Sequence, residues 1–212
     1  MKTILCYGDS LTWGYSAEGP GRHKYEDRWP SVLAAELGAA VRVIADGLNG
    51  RTTAFDDHLD DCDRNGARVL PTVLHTHAPL DLVIIMLGAN DMKPFICGRA
   101  IGAKQGMERL VDIVRSHVYP MQAQAPAIIL VSPPPLCRTE NADFDAMFDG
   151  GVTESRKLSE MYRQLAEEYG CGFFDAGTVA QTTPLDGVHL DAENTRAIGK
   201  ALVPLVRKTL NL

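Results

Sequence analysis

Ile4-Leu5-Cys6-Tyr7-Gly8-Asp9-Ser10-Leu11-Thr12-Trp13-Gly14 sets the frame for the whole chain. A short apolar run stops at a glycine, and an acid and a serine follow at once. Lys2–Tyr7 reads as a buried strand, and in an open α/β sheet the loop after a strand's carboxyl end is where ligands bind. Ser10 is therefore placed either for chemistry or for capping a helix, a common role for serine.

Working outward, the same pattern recurs. Val41–Ala45, Leu82–Leu87, Ala127–Val131 and Gly172–Asp175 are short apolar segments closed by Asp46-Gly47, Gly88, Ser132-Pro133 and Asp175. The unbroken run Leu82–Leu87 suits a central parallel strand covered on both faces. Between the strands, apolar residues recur at helical spacing over about 29–37, 66–77, 104–118, 153–169 and 192–210, the last with Pro204 inside it. The segments 13–27 (containing Pro20) and 136–149 read as irregular. Alternating strands and helices predict an α/β fold: one domain over 1–212, three layers α/β/α, with a five-stranded parallel sheet in the flavodoxin-like order 2-1-3-4-5.

Composition narrows the function. The chain has 212 residues, 45% of them hydrophobic and 23% charged, as expected of a globular protein. Its net charge of −6 gives no basic footprint for nucleic acid or an anionic membrane surface. The longest apolar run falls far short of the ~20 residues that span a bilayer, and no signal-peptide core follows Met1. Cys6, Cys62, Cys97, Cys137 and Cys171 are scattered without a C-x-x-C pair, so they read as reduced thiols of a cytoplasmic protein and not as a metal site.

Right-handed crossovers bring the strand ends to one edge. Their loops carry Ser10, Gly50 in Asn49-Gly50-Arg51-Thr52, Asn90 in Gly88-Ala89-Asn90-Asp91, and Asp186-Gly187-Val188-His189. A serine hydroxyl needs a base to take its proton, usually an imidazole oriented by a carboxylate. An acid three residues before a histidine, with glycine between, can fold back onto the ring in one turn. On that reading Ser10 attacks, His189 shuttles the proton and Asp186 holds the tautomer. Ser10 N–H, Gly50 N–H and the Asn90 amide would be the oxyanion donors.

Taken together, these blocks resemble the SGNH (GDSL-type) hydrolases. Gly8-Asp9-Ser10-Leu11, Gly50, Gly88-Ala89-Asn90-Asp91 and Asp186-Gly187-Val188-His189 match the family's four blocks in order across nearly the whole chain. The stretches 8–14, 51–53 and 131–136 are similar to a narrower group, bacterial arylesterases with acyltransferase or perhydrolase activity. Gly50 departs from it, because some members have alanine there.

The resemblance implies hydrolysis of short acyl and aryl esters through an acyl-serine, with transfer to alcohols or peroxide, and no cofactor. It also implies a homo-oligomer, often an octamer, whose subunits partly close one another's pockets. Trp13, Tyr15, Phe144 and Phe148 would lie at the pocket or its rim; Trp13 reads equally as a packing residue, and the two phenylalanines equally as core. A carbohydrate O-deacetylase of the same family is the alternative enzyme. A binding module whose serine only caps a helix is the alternative from another class.

Other residues read as structural. Asp9 and Asp91 brace local backbone, Trp29 packs at a helix start, and Arg51 is left between an ion pair and a pocket role. Asp61–Gly66 opens like a calcium loop, but the twelfth position is Thr72, where that loop needs glutamate. His75 and His77 read as surface or interface groups, and His23, His58 and His117 as solvated.

Overall fold

The computed structural model describes residues 1–19 and 21–212; Pro20 lies outside them. Strands β1 (Lys2–Gly8), β2 (Val41–Gly47), β3 (Leu82–Met86), β4 (Ala127–Ser132) and β5 (Gly172–Asp175) form one parallel sheet in the order β2-β1-β3-β4-β5. This is the expected α/β topology. The register explains why the loops converge: Gly8 ends β1 opposite both Gly47 of β2 and Met86 of β3. Three chains therefore leave the sheet side by side.

Eight helices accompany the strands among the described residues: α1 (Ser10–Trp13), α2 (Trp29–Leu37), α3 (Gly66–His77), α4 (Ala100–Ser116), α5 (Ala142–Met147), α6 (Gly151–Ser155), α7 (Leu158–Tyr169) and α8 (Ala192–Leu210). Successive β1 side chains point to opposite faces, as a pleat requires. Leu5 and Tyr7 join Leu70, Met107, Leu110, Leu158 and Tyr162 under α3, α4 and α7. Ile4 and Cys6 join Trp29, Leu33, Ile198 and Leu202 under α2 and α8. These are the two cores of a three-layer α/β/α arrangement. Trp29 is fully buried at the start of α2, and a Cβ at residue 199 of α8 would come within 2.6 Å of its carbonyl oxygen. Gly199 thus lets the two helices approach. Among the described residues, no helix is long and apolar enough to cross a membrane.

The structure corrects three sequence readings. The irregular segment 136–149 contains helix α5, started by the Asn141 side chain, which accepts from Phe144 N–H at 3.3 Å. The helix expected over 153–169 is two helices, α6 and α7. The helix expected over 104–118 begins at Ala100, whose N–H is taken by the Glu154 carboxylate at 2.9 Å. A carboxylate from α6, more than fifty positions away in sequence, satisfies an end that the local sequence leaves uncapped.

Candidate active site

The tight turn after β1 builds the first half of the site. Asp9 caps α1, its Oδ1 accepting from Leu11 N–H at 2.9 Å, and Ser10 becomes the first residue of that helix. The cap is therefore the acid and not the serine, which leaves the Ser10 hydroxyl free. It sits 2.9 Å from His189 Nε2.

The opposite ring nitrogen, Nδ1, lies 2.7 Å from Asp186 Oδ2. The other Asp186 oxygen accepts from the backbone N–H of Val188 and His189, each at 2.9 Å. The Asp186–His189 turn thus fixes the carboxylate, and the carboxylate fixes the ring. All three residues are buried. Burial pushes the Asp186 carboxyl up, but the hydrogen bonds from His189 and Val188 outweigh it and hold the group below the usual carboxylate range. An ionised Asp186 accepting from Nδ1–H leaves Nε2 as the basic nitrogen facing Ser10.

The backbone N–H groups of Ser10 and Gly50 have no acceptor among the described residues. The Asn90 side chain emerges from a tight turn (Asn90–Met92) and donates to Arg51 O at 3.2 Å and, at a long 3.4 Å, to Asp9 Oδ2. A contact of that length is weak, so the amide can turn one N–H toward a developing charge without losing a strong bond.

A cavity of about 230 Å³ opens at these groups. Ser10, Gly50, Asn90 and His189 line it together with Tyr15, Phe144 and Phe148. The Tyr15 ring lies 4.2 Å from the His189 ring, and Phe144 meets the same imidazole edge-on at 6.0 Å. Trp13 is not part of this wall: its ring stacks against the Arg22 guanidinium at 4.4 Å. The sequence reading did not place three further lining residues here. Lys93 and Arg64 both border the cavity, and α5 adds Met147. Lys93 follows the Asn90 turn directly, a signal that the local sequence did carry.

Asp91 is a bracing residue, but it braces across loops and not the local backbone that its turn predicts. Asp91 accepts from Thr53 N–H and from its hydroxyl, tying the third loop to the second. Arg51 pairs with Asp46 at 2.7 Å and donates to Gly8 O at 2.8 Å, so it is an ion pair and not a pocket group. Asn65 of the calcium-like stretch caps α3, and Asp63 pairs with Arg68. His23 departs from expectation. It is buried, and its Nε2 meets Leu190 O at 2.9 Å, one residue beyond His189. His117 packs edge-on between His75 at 5.6 Å and Tyr119 at 4.8 Å, which removes it from the solvated group as well.

Residues 6–196 match the GDSL-like lipase/acylhydrolase family. The chain belongs to this family. Among solved structures, it is similar to a carbohydrate acetylesterase family member from Sinorhizobium meliloti, with 67% identity, TM-score 0.99 and full coverage of both chains. The aryl esterase of M. smegmatis is 42% identical with TM-score 0.94, over 99% of this chain and 100% of that one. A second carbohydrate acetylesterase from Sinorhizobium meliloti is 39% identical with TM-score 0.90, over 98% and 99%. No curated protein matches the sequence. The family and these neighbours make the chain a carboxylic ester hydrolase.

Proposed function

We propose that this hydrolase cleaves short-chain acyl and aryl esters through an acyl-Ser10 intermediate. The observation that carries the reading is the position of His189, bonded on one side to Ser10 and on the other to Asp186. Ser10 Oγ attacks the ester carbonyl while His189 Nε2 takes its proton, and Asp186 stabilises the imidazolium. The carbonyl oxygen gains charge next to Ser10 N–H, Gly50 N–H and the Asn90 amide, each worth on the order of 3 kcal/mol in the transition state. His189 returns the proton to the leaving alkoxide as the C–O bond breaks. Water then attacks the acyl-serine by the same route and frees the acid. An alcohol in place of water gives acyl transfer.

Tyr15, Phe144 and Phe148 crowd the cavity around the imidazole, which suits acetyl-sized groups. The test is turnover of p-nitrophenyl acetate, with kcat falling roughly 10⁶-fold in Ser10→Ala. Labelling by a fluorophosphonate that needs both Ser10 and His189 separates this reading from a binding module. Well-folded protein that resists the label would overturn it.

A second reading, removal of acetyl groups from carbohydrates, is favoured by the 67% identity to the Sinorhizobium acetylesterase family member. A panel of acetylated sugars run beside aryl acetates decides between them. We also propose a homo-oligomer, the octamer of the resemblance, in the cytoplasm. The exposed Phe95 and Ile101 offer apolar contact surface, and five free thiols suit a reducing compartment. Light scattering on the purified protein tests the assembly.

A further inference from the structure

Lys93 borders the cavity that holds Ser10 and His189, and only 7% of it is exposed. A buried ammonium normally pays for its desolvation with a carboxylate or a set of acceptors. Lys93 has neither within bonding distance among the described residues. Its Nζ lies instead 5.5 Å from the centre of Phe148, a wall of the cavity, and 6.0 Å from that of Phe95.

The negative charges nearest in effect are already committed. Asp57 holds Arg64 at 2.9 Å, Asp9 caps α1, and Asp91 holds Thr53. Arg64, the other cation of the lining, has an acceptor on each of its three nitrogens, in Asn49 O, Asp57 and Asp60. Burial lowers the Lys93 pKa from its ordinary value while those carboxylates pull it back up. An ammonium has three N–H donors, and those of Lys93 border the space a substrate would occupy.

Resting on the esterase reading above, we propose that Lys93 is the specificity group of this cavity and selects esters that carry a carboxylate. The anion supplies the acceptor that the fold withholds, in a low-dielectric setting where a charge-assisted hydrogen bond is strong. The carboxylate can belong to the alcohol portion or to the acyl portion of the ester, and the two sources are separable.

The experiment compares charged and neutral partners in wild type, Lys93→Met and Lys93→Arg. For the alcohol side the pair is 4-acetoxybenzoate and its methyl ester; for the acyl side it is monomethyl glutarate and methyl pentanoate. In at least one pair, the charged-to-neutral ratio of kcat/KM should fall about tenfold in Lys93→Met and return in Lys93→Arg. Using the ratio cancels leaving-group reactivity and any general loss of structure. A ratio unchanged in both pairs overturns the proposal.

A second measurement needs no variant. As an inhibitor of p-nitrophenyl acetate turnover by wild type, 4-hydroxybenzoate should bind about tenfold tighter than 4-hydroxybenzamide if the alcohol side carries the anion, and glutarate should exceed glutaramide likewise if the acyl side does. Equal inhibition within both pairs sinks the idea even if the Met variant does not fold. Failure to hydrolyse the neutral aryl acetate would instead refute the esterase reading itself.

Discussion

The Arg64 guanidinium fills the space above residue 50, so that a Cβ there would come within 2.5 Å of its Nε and 2.6 Å of its Cζ. Gly50 also has φ +81°, a conformation that side chains rarely adopt. Arg64 does more than exclude a side chain. Its Nε donates to Asn49 O at 3.1 Å, while Asp57 anchors its Nη1. In a planar trans peptide the C=O and N–H point opposite ways, so holding Asn49 O fixes the direction of Gly50 N–H.

Gly50→Ala should therefore lose activity as well as stability. The backbone strain alone costs about 1–3 kcal/mol, and a displaced donor costs on the order of 10² in kcat. Truncating Arg64 relieves the overlap but not the positive φ. The Gly50→Ala penalty in kcat should thus be smaller in an Arg64→Ala background, a coupling that a double-mutant cycle with p-nitrophenyl acetate measures. Strictly additive effects would mean that Arg64 does not act through Gly50.

Asn90 gives a sharper test of the oxyanion proposal. Its truncation removes one transition-state donor and leaves the buried Arg51 O without its 3.2 Å partner. Asn90→Ala should reduce kcat by ~10²–10³ with KM little changed, while the orphaned Arg51 O lowers the melting temperature by a few degrees. A loss below tenfold would remove the residue from that role.

Local chemistry determined what the sequence revealed. Helices 66–77 and 192–210 and strand 172–175 were legible to the residue, because a local signal starts each: Asn65 and Asp191 cap, and Gly170 turns the chain before β5. The four loops were legible because parallel strand ends must share an edge. What stayed hidden depends on partners distant in sequence. Ala100 begins α4 because Glu154 receives its N–H, and His23 is buried because Leu190 O takes its ring. Arg64 was obscured because it lies inside the calcium-like stretch 61–66, while its ion-pair partners, Asp57 and Asp60, precede that stretch. Trp13, ambiguous in sequence, was settled by Arg22, a neighbour on the far side of a loop.

The two bracing acids make a pH prediction with a definite sign. Burial pushes Asp9 up to about 6, against the pull of Leu11 N–H and of the His189 and Arg51 charges; it pushes Asp91 up to about 6 against its bonds from Thr53. Unfolded, each titrates near ~3.9. A raised folded pKa means that the folded state holds the extra proton, so this contribution is fully present below ~3.9 and is lost as pH rises through about 6. Asp186 has the opposite sign: its lowered pKa stabilises the fold above the ordinary carboxylate value and is lost in stronger acid.

Asn caps helices as well as Asp and carries no charge. The melting temperature of Asp9→Asn relative to wild type should accordingly increase between pH 4.5 and 7.5, by ~2–12 °C for a contribution of about 1–3 kcal/mol. A difference that is flat across this range would show that Asp9 ionises normally.

Phe144 tests how the cavity limits the acyl group. It stands on α5, faces His189 at 6.0 Å and stacks on Phe148 at 6.3 Å, so it narrows the space beside the reacting carbonyl. It lies outside the fully buried core, and Phe144→Ala should leave melting close to wild type. The same truncation widens the cavity by most of a ring. A p-nitrophenyl ester series from acetate to hexanoate should then show kcat/KM for the longer chains rising about tenfold relative to acetate, within the range that a pocket discriminates by added methylenes. Tyr15, at 4.2 Å from the same imidazole, provides the comparison. If Tyr15→Ala shifts the profile and Phe144→Ala does not, the acyl chain lies along the Tyr15 side, and Phe144 bounds the alcohol portion instead.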